Sequence, residues 1–161
     1  MNTFPLFDSE QLGLRATQHK LQPFRVKQIF FEIFKNQHIY WDEMTTLSKD
    51  LKVALAEKFS LLSLTIDDTV EARDTTKFAF KTYDGHLIEA ILMFHWQDEK
   101  YCTSGKERKL NRITLCISSQ VGCPVNCLFC VTGKLGFTRN LTWDEIVSQI
   151  LYANWYVKNR F

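Results

Sequence analysis

Through the first sixty residues the apolar positions recur at helical spacing. "DSEQLGLRATQHKL" predicts a helix opening at Asp8 or Ser9. "PFRVKQIFFEIFKN" puts Phe24, Ile29, Phe30, Ile33 and Phe34 on one side, with Pro23 suited to the first turn. "LSKDLKVALAEKF" starts at a cap, Ser48, and carries Leu51, Leu55 and Phe59 on one stripe. The period then changes to two. "TKFAFKTYDGHLIEAILMF" alternates and is split by Asp84-Gly85, which predicts strands near 76–83 and 86–94 joined by a two-residue turn. "RITLCISS" reads as a further strand, and "LTWDEIVSQILYANWYVKN" as a helix. Thr142 and Glu145 form its capping box, and Ile146, Ile150 and Leu151 begin its apolar face.

These elements divide the chain into a helical region over 1–65, a hairpin and basic loop over 66–110, and a strand, loop and helix over 111–161. One parallel strand–helix unit cannot bury a sheet by itself, so the last region reads as the start of something larger.

Composition adds little to this. Hydrophobic residues at 45% and charged residues at 24% are those of a globular chain, and thirteen Phe with four Trp supply a core. A net charge of +2 does not announce a nucleic-acid binder. Locally, Lys100, Lys106, Arg108, Lys109 and Arg112 stand against Glu107 alone, either as a phosphate-contacting arm or as a solvated loop. The N-terminus has polar residues too early for a secretory signal, and no run approaches the roughly 18 apolar residues of a membrane span, so a cytoplasmic protein is expected.

The cysteines change the picture. Four of the five fall between residues 116 and 130, and three of them, Cys123, Cys127 and Cys130, lie within eight residues. Tight clustering and an odd number point to metal or catalytic thiols rather than to disulfides. Thiolates suit zinc or iron–sulfur clusters. Structural zinc would need a fourth ligand, which Cys116 could supply. A 4Fe–4S cluster needs only three thiolates if one iron stays open to a ligand.

C-x3-C-x2-C with an aromatic, Phe129, before the last cysteine is the signature of the radical SAM superfamily. The longer run "TLCISSQVGCPVNCLFCVTGKLGFTRNLTWDEIVSQIL" resembles the branch that methylates carbon 2, or in one group carbon 8, of an adenosine in large-subunit ribosomal RNA and, in some members, transfer RNA. Upstream, "PFRVKQIF" resembles that family's helical accessory domain, "WDEMTTLSKDL" its next segment, and "LIEAILM" a strand before its barrel.

The resemblance implies an α+β N-terminal region, a helical accessory domain plus a β-hairpin, leading into the first βα unit of an incomplete α/β radical SAM barrel. It implies that Cys123, Cys127 and Cys130 hold a 4Fe–4S cluster, that Phe129 lies at the S-adenosylmethionine site, and that flavodoxin or ferredoxin supplies the electron. It further implies that Cys116 resolves a covalent enzyme–RNA intermediate and that Glu89 removes the proton from the modified carbon. In the family a second, downstream cysteine carries the methyl group. No cysteine follows Cys130 here, so these 161 residues alone are expected not to methylate RNA.

The interval from Glu89 to Cys116 is longer than in the family and contains Cys102, to which the resemblance gives no role. Two other readings stay open. One is a zinc-stabilised RNA-binding module built on Cys116, Cys123, Cys127 and Cys130. The other is a different radical SAM enzyme acting on a small molecule or peptide.

Overall fold

Alternating positions on two successive strands build the wall on which the rest is arranged. The structure is a computed structural model, and it describes residues 4–8, 13–14, 21–97 and 109–161. Strands β5 (Thr65–Glu71), β6 (Thr75–Lys81), β7 (Leu87–Trp96) and β8 (Leu110–Cys116) form one antiparallel sheet in that order. Phe78 and Phe80 on β6 and Ile88, Ala90, Leu92 and Phe94 on β7 are buried, while their odd-numbered neighbours face away, as a period of two requires. The hairpin is therefore as expected, with one correction. A two-residue turn of type I′ needs positive φ at both central residues, and here only Gly85 has it (φ 86°). Thr82 and His86 instead pair around a three-residue loop, closed by the Gly85 N–H donating to the Thr82 carbonyl at 3.0 Å.

On the covered face lies the long helix, whose capping box Thr142–Glu145 is present. It follows α1 (Pro23–Phe30), α2 (Lys49–Ala56) and the short α3 (Val131–Lys134), and as α4 it runs Trp143–Arg160. Tyr152 and Tyr156 meet Phe78 edge-on at 5.2 and 5.0 Å. Of the apolar stripe expected, Leu151 is buried and Ile146 packs against the core, but the rest of the contact face differs. Ile150 is exposed, whereas Glu145, Ser148 and Gln149 are buried, each in hydrogen bonds. Ser148 Oγ, for example, accepts the Ser63 N–H at 2.9 Å.

The N-terminal region departs most from its sequence pattern. Within the stretch expected to be the first helix, β2 (Phe7–Asp8) pairs antiparallel with β3 (Gly13–Leu14), and residues 9–12 and 15–20 lie outside the described residues. Glycine inside a helix costs about 1 kcal/mol relative to alanine, and Gly13 sits where that helix would have run. β1 (Phe4–Pro5) pairs with β4 (Phe59–Ser60).

α1 and α2 form where expected, but α2 ends at Ala56, leaving Phe59 to β4 instead of the helix stripe, and α1 passes into a π-helical turn, Phe31–Lys35. Ile29, Glu32 and Ile33 point inward, while Phe24, Phe30 and Phe34, expected on the same side as the two isoleucines, are exposed. Glu32, fully buried, accepts the Thr46 N–H at 2.9 Å and an Asn36 amide N–H at 2.8 Å, and lies 2.9 Å from His38 Nδ1.

β5 was not anticipated. "TIDDTVE" is polar because both of its faces are largely exposed, and it is held by its ladder to β6. The strand expected to open a parallel barrel, β8, runs antiparallel to β7. Lys100, Cys102, Lys106, Glu107 and Arg108 lie outside the described residues, whereas Lys109 and Arg112 are described and exposed. No helix among the described residues is long and apolar enough to cross a membrane.

Candidate functional site

The face of the sheet turned away from α4 carries two of the expected site residues. In the β7–β8 ladder Ile91 stands opposite Cys116. Glu89 is two residues before Ile91 and so shares its face, which makes Glu89 and Cys116 diagonal neighbours on adjacent strands. Cys116 is exposed and unbridged. Glu89 is exposed too, and its Oε1 accepts from Lys77 Nζ at 2.9 Å. His95 Nε2 and Thr114 Oγ1, 3.0 Å apart, continue the polar surface along the same two strands.

β8 leads into the cysteine loop through a ribbon the sequence did not suggest, β9 (Gln120–Gly122) against β10 (Phe137–Asn140). Two glycines close it. Gly122 has φ 74°, and a Cβ there would stand 1.8 Å from the Gly136 carbonyl oxygen. The same oxygen accepts the Cys123 N–H at 2.9 Å, so the loop is pinched shut at the first cysteine. Inside it, the short α3 packs onto Asn126–Cys127 where Gly133 leaves room for no Cβ beyond tight contact (3.0 Å to the Cys127 nitrogen).

Cys123, Cys127 and Cys130 are half-buried and unbridged. Hydrogen bonds from the Gly133 backbone, and then from Thr132, draw the Cys130 thiol below its ordinary value, which favours the thiolate a metal needs. Around them lies an apolar rim: Phe129 is 92% exposed, and Val125, Leu128, Val131 and Leu135 are also turned outward. Five large apolar side chains left exposed within eleven residues are consistent with a contact site.

The donor set is thus three soft thiols in one pinched loop, one of them biased to its charged form, which suits an iron–sulfur cluster. Among the described residues no three Cys, His, Asp or Glu side chains converge as a formed metal site. Cys116 lies in the ladder of the sheet, opposite Ile91, and precedes the loop's first cysteine with β9 between them in sequence.

Two hydrogen-bonded arrangements tie loop to sheet, and sequence reasoning assigned neither. Arg139, at the loop's exit on β10, bonds both Asp84 at the hairpin tip and Glu145 at the start of α4, all at 2.8–2.9 Å. Arg139 holds the Asp84 carboxyl well below its usual range. Burial pushes Glu145 up, but Arg139 and the Thr142 N–H outweigh it and the net shift is down. Gln149, wholly buried on α4, grips the backbone of Ser118. In sequence Arg139 stands out only as part of the resemblance, and nothing local singles out Gln149.

No family model matches the chain. Among solved structures, a radical SAM methyltransferase from Sphaerobacter thermophilus superimposes with a TM-score of 0.74 at 35% identity, over 91% of this chain and 39% of that one. The fold and the cysteine loop therefore resemble those of a radical SAM methyltransferase.

Within that class the similarity is narrower. A probable dual-specificity RNA methyltransferase RlmN from Thermotoga sp. (strain RQ2) is 42% identical over 144 residues, 88% of this chain and 38% of that protein. The corresponding protein of Aquifex aeolicus is 40% identical over 142 residues, and the dual-specificity RNA methyltransferase RlmN of Sulfurovum sp. is 40% identical over 145. The chain spans well under half the length of these curated relatives, between 37% and 40%.

Proposed function

We propose that this chain provides the cluster-holding loop and part of the reacting surface of a radical SAM methyltransferase that modifies carbon 2 of an adenosine in ribosomal RNA and transfer RNA. The observation that carries the reading is the juxtaposition on one continuous stretch: a pinched three-thiol loop follows directly from a strand whose exposed Cys116 lies diagonal to Glu89. Cys123, Cys127 and Cys130 would hold the cluster, with Phe129 and its apolar neighbours bordering S-adenosylmethionine. When bound, that cluster supplies the electron that opens S-adenosylmethionine to a carbon radical.

The chain's own groups have simpler tasks. Glu89 takes the carbon-2 proton; Lys77 engages Oε1, so Oε2 is the oxygen available to receive it. The Cys116 thiolate attacks the sulfur of a methyl-carrying cysteine to form a disulfide; the electron pair of the broken carbon–sulfur bond stays on the carbon joined to RNA, which takes up a proton to become the methyl group. Exposure of both groups on one sheet face supports access by a base turned out of its stack. A flavodoxin or ferredoxin is the proposed electron source.

Anaerobic reconstitution with iron and sulfide, followed by iron counting and low-temperature EPR with and without S-adenosylmethionine, tests this. A cubane signal that changes on adding S-adenosylmethionine supports it. A colourless protein that keeps zinc through Cys116 sinks it and favours the zinc module.

A further inference from the structure

The β7–β8 ladder ends where Ile91 faces Cys116, and past it the Ser119 carbonyl accepts the Leu141 N–H at 2.9 Å. Ser118 sits between the two, as β8 bends away toward the cysteine loop. Gln149, 0% exposed, supplies its partner from α4: its Oε1 accepts the Ser118 N–H at 2.9 Å and its Nε2 donates to the Ser118 carbonyl at 2.9 Å. One side-chain amide does for Ser118 what a neighbouring strand does elsewhere. The Ser118 hydroxyl then donates to the Glu89 carbonyl at 2.8 Å. This extends the pairing of the two strands by one step, through a side chain instead of the backbone.

From these contacts we infer that Gln149 and Ser118 are positioning residues, which fix the Glu89 carboxylate relative to the Cys116 thiol from the buried side of the sheet. Glu89 is reached through its own peptide carbonyl, and Cys116 lies two residues before Ser118 on the same strand. A buried, doubly bonded amide holds its place better than an exposed contact could, because any displacement leaves polar atoms unpaired away from water. The inference rests on the reading that Glu89 and Cys116 are the reacting pair.

Two readouts on this chain test it: hydrogen exchange of the Ser118 amide, and alkylation of Cys116 by iodoacetamide followed on its peptide by mass spectrometry. Gln149→Met, similar in length but without the amide, should speed exchange at Ser118 about tenfold or more. In the same variant the Cys116 alkylation rate should change by about threefold or more, since thiol reactivity follows its surroundings. Ser118→Ala should change alkylation while the Ser118 amide stays protected, and Ser118→Thr, which keeps the hydroxyl, should restore the rate.

An alkylation rate indifferent to both Gln149→Met and Ser118→Ala overturns the inference, as does a change that Ser118→Thr fails to reverse. Where Gln149→Met does not fold, the Ser118 pair decides alone. Cluster binding with an indifferent Cys116 would sink the inference and leave the functional reading standing. A working clamp in a chain that takes up no cluster would do the reverse.

Discussion

Arg139 and Asp84 are fifty-five residues apart in sequence and meet in a two-pronged ion pair, Nε to Oδ2 at 2.8 Å and Nη2 to Oδ1 at 2.9 Å. The same guanidinium also bonds both oxygens of Glu145, which is 1% exposed. One side chain thereby joins the hairpin that carries Glu89, the exit of the cysteine loop, and the first turn of α4.

Removing that cation leaves a buried carboxylate without its partner. Arg139→Ala should cost about 3 kcal/mol in urea unfolding. Arg139→Lys keeps the charge but cannot bond two carboxylates through a planar fork, and should recover less than half of the loss. A Lys variant as stable as the parent would show that charge alone suffices.

Acid should weaken the fold through Glu32. Burial works to raise its pKa, but its bonds from Thr46, Asn36 and His38 outweigh that and hold it at about 2, below the ordinary 4.5. A depressed carboxylate contributes stability above its unfolded pKa and loses it as pH falls through the folded one. Stability measured by urea melts should therefore drop by about 3 kcal/mol between roughly pH 5 and pH 2. Asp84 and Glu145 are shifted the same way and add to the slope. Glu32→Gln should flatten it.

Two glycines with positive φ should respond unequally to alanine. At Gly85 (φ 86°) nothing lies within 4 Å of an added Cβ, so Gly85→Ala costs only the left-handed strain of about 1–2 kcal/mol. At Gly122 the added carbon would overlap the Gly136 carbonyl, so the pinch at Cys123 must open. Gly122→Ala should lower iron content after reconstitution by more than half, while Gly85→Ala leaves it unchanged.

The cysteines separate the metal readings. Cys127→Ser should abolish iron incorporation, and Cys116→Ser should leave it intact, both scored by iron per chain and visible absorbance. Loss of metal from Cys116→Ser would favour the four-cysteine zinc site.

How far these features could be read from sequence depends on the range of the interactions behind them. The hairpin was legible because Phe78, Phe80, Ile88, Ala90 and Leu92 alternate with polar neighbours, a purely local signal. The capping box of α4 was legible for the same reason. β5 was missed because its polar residues need no core and take their order from β6. The face of α1 is legible only in part: Ile29 and Ile33, four apart, are buried, but the inward place beside them is taken by Glu32, whose partners Asn36, His38 and Thr46 lie beyond the helix. The cysteine spacing was plain, but the ribbon that pinches it depends on the Gly122–Gly136 contact across fourteen residues. Gln149 was invisible because its partner is thirty-one residues away and its neighbours suggested an ordinary amphipathic helix.

The polar groups buried under α4, next to Leu151 and Tyr152, have a consequence for folding as well. An oily helix can slide on an oily sheet at little cost, and collapsed chains with such contacts settle into many near-equal arrangements. Here a helix displaced by one turn would bury Glu145, Ser148 and Gln149 against nothing that bonds them, at roughly 1–3 kcal/mol each. The joint therefore proofreads its own assembly: mis-seated intermediates are penalised residue by residue, and only the docking that satisfies all three persists.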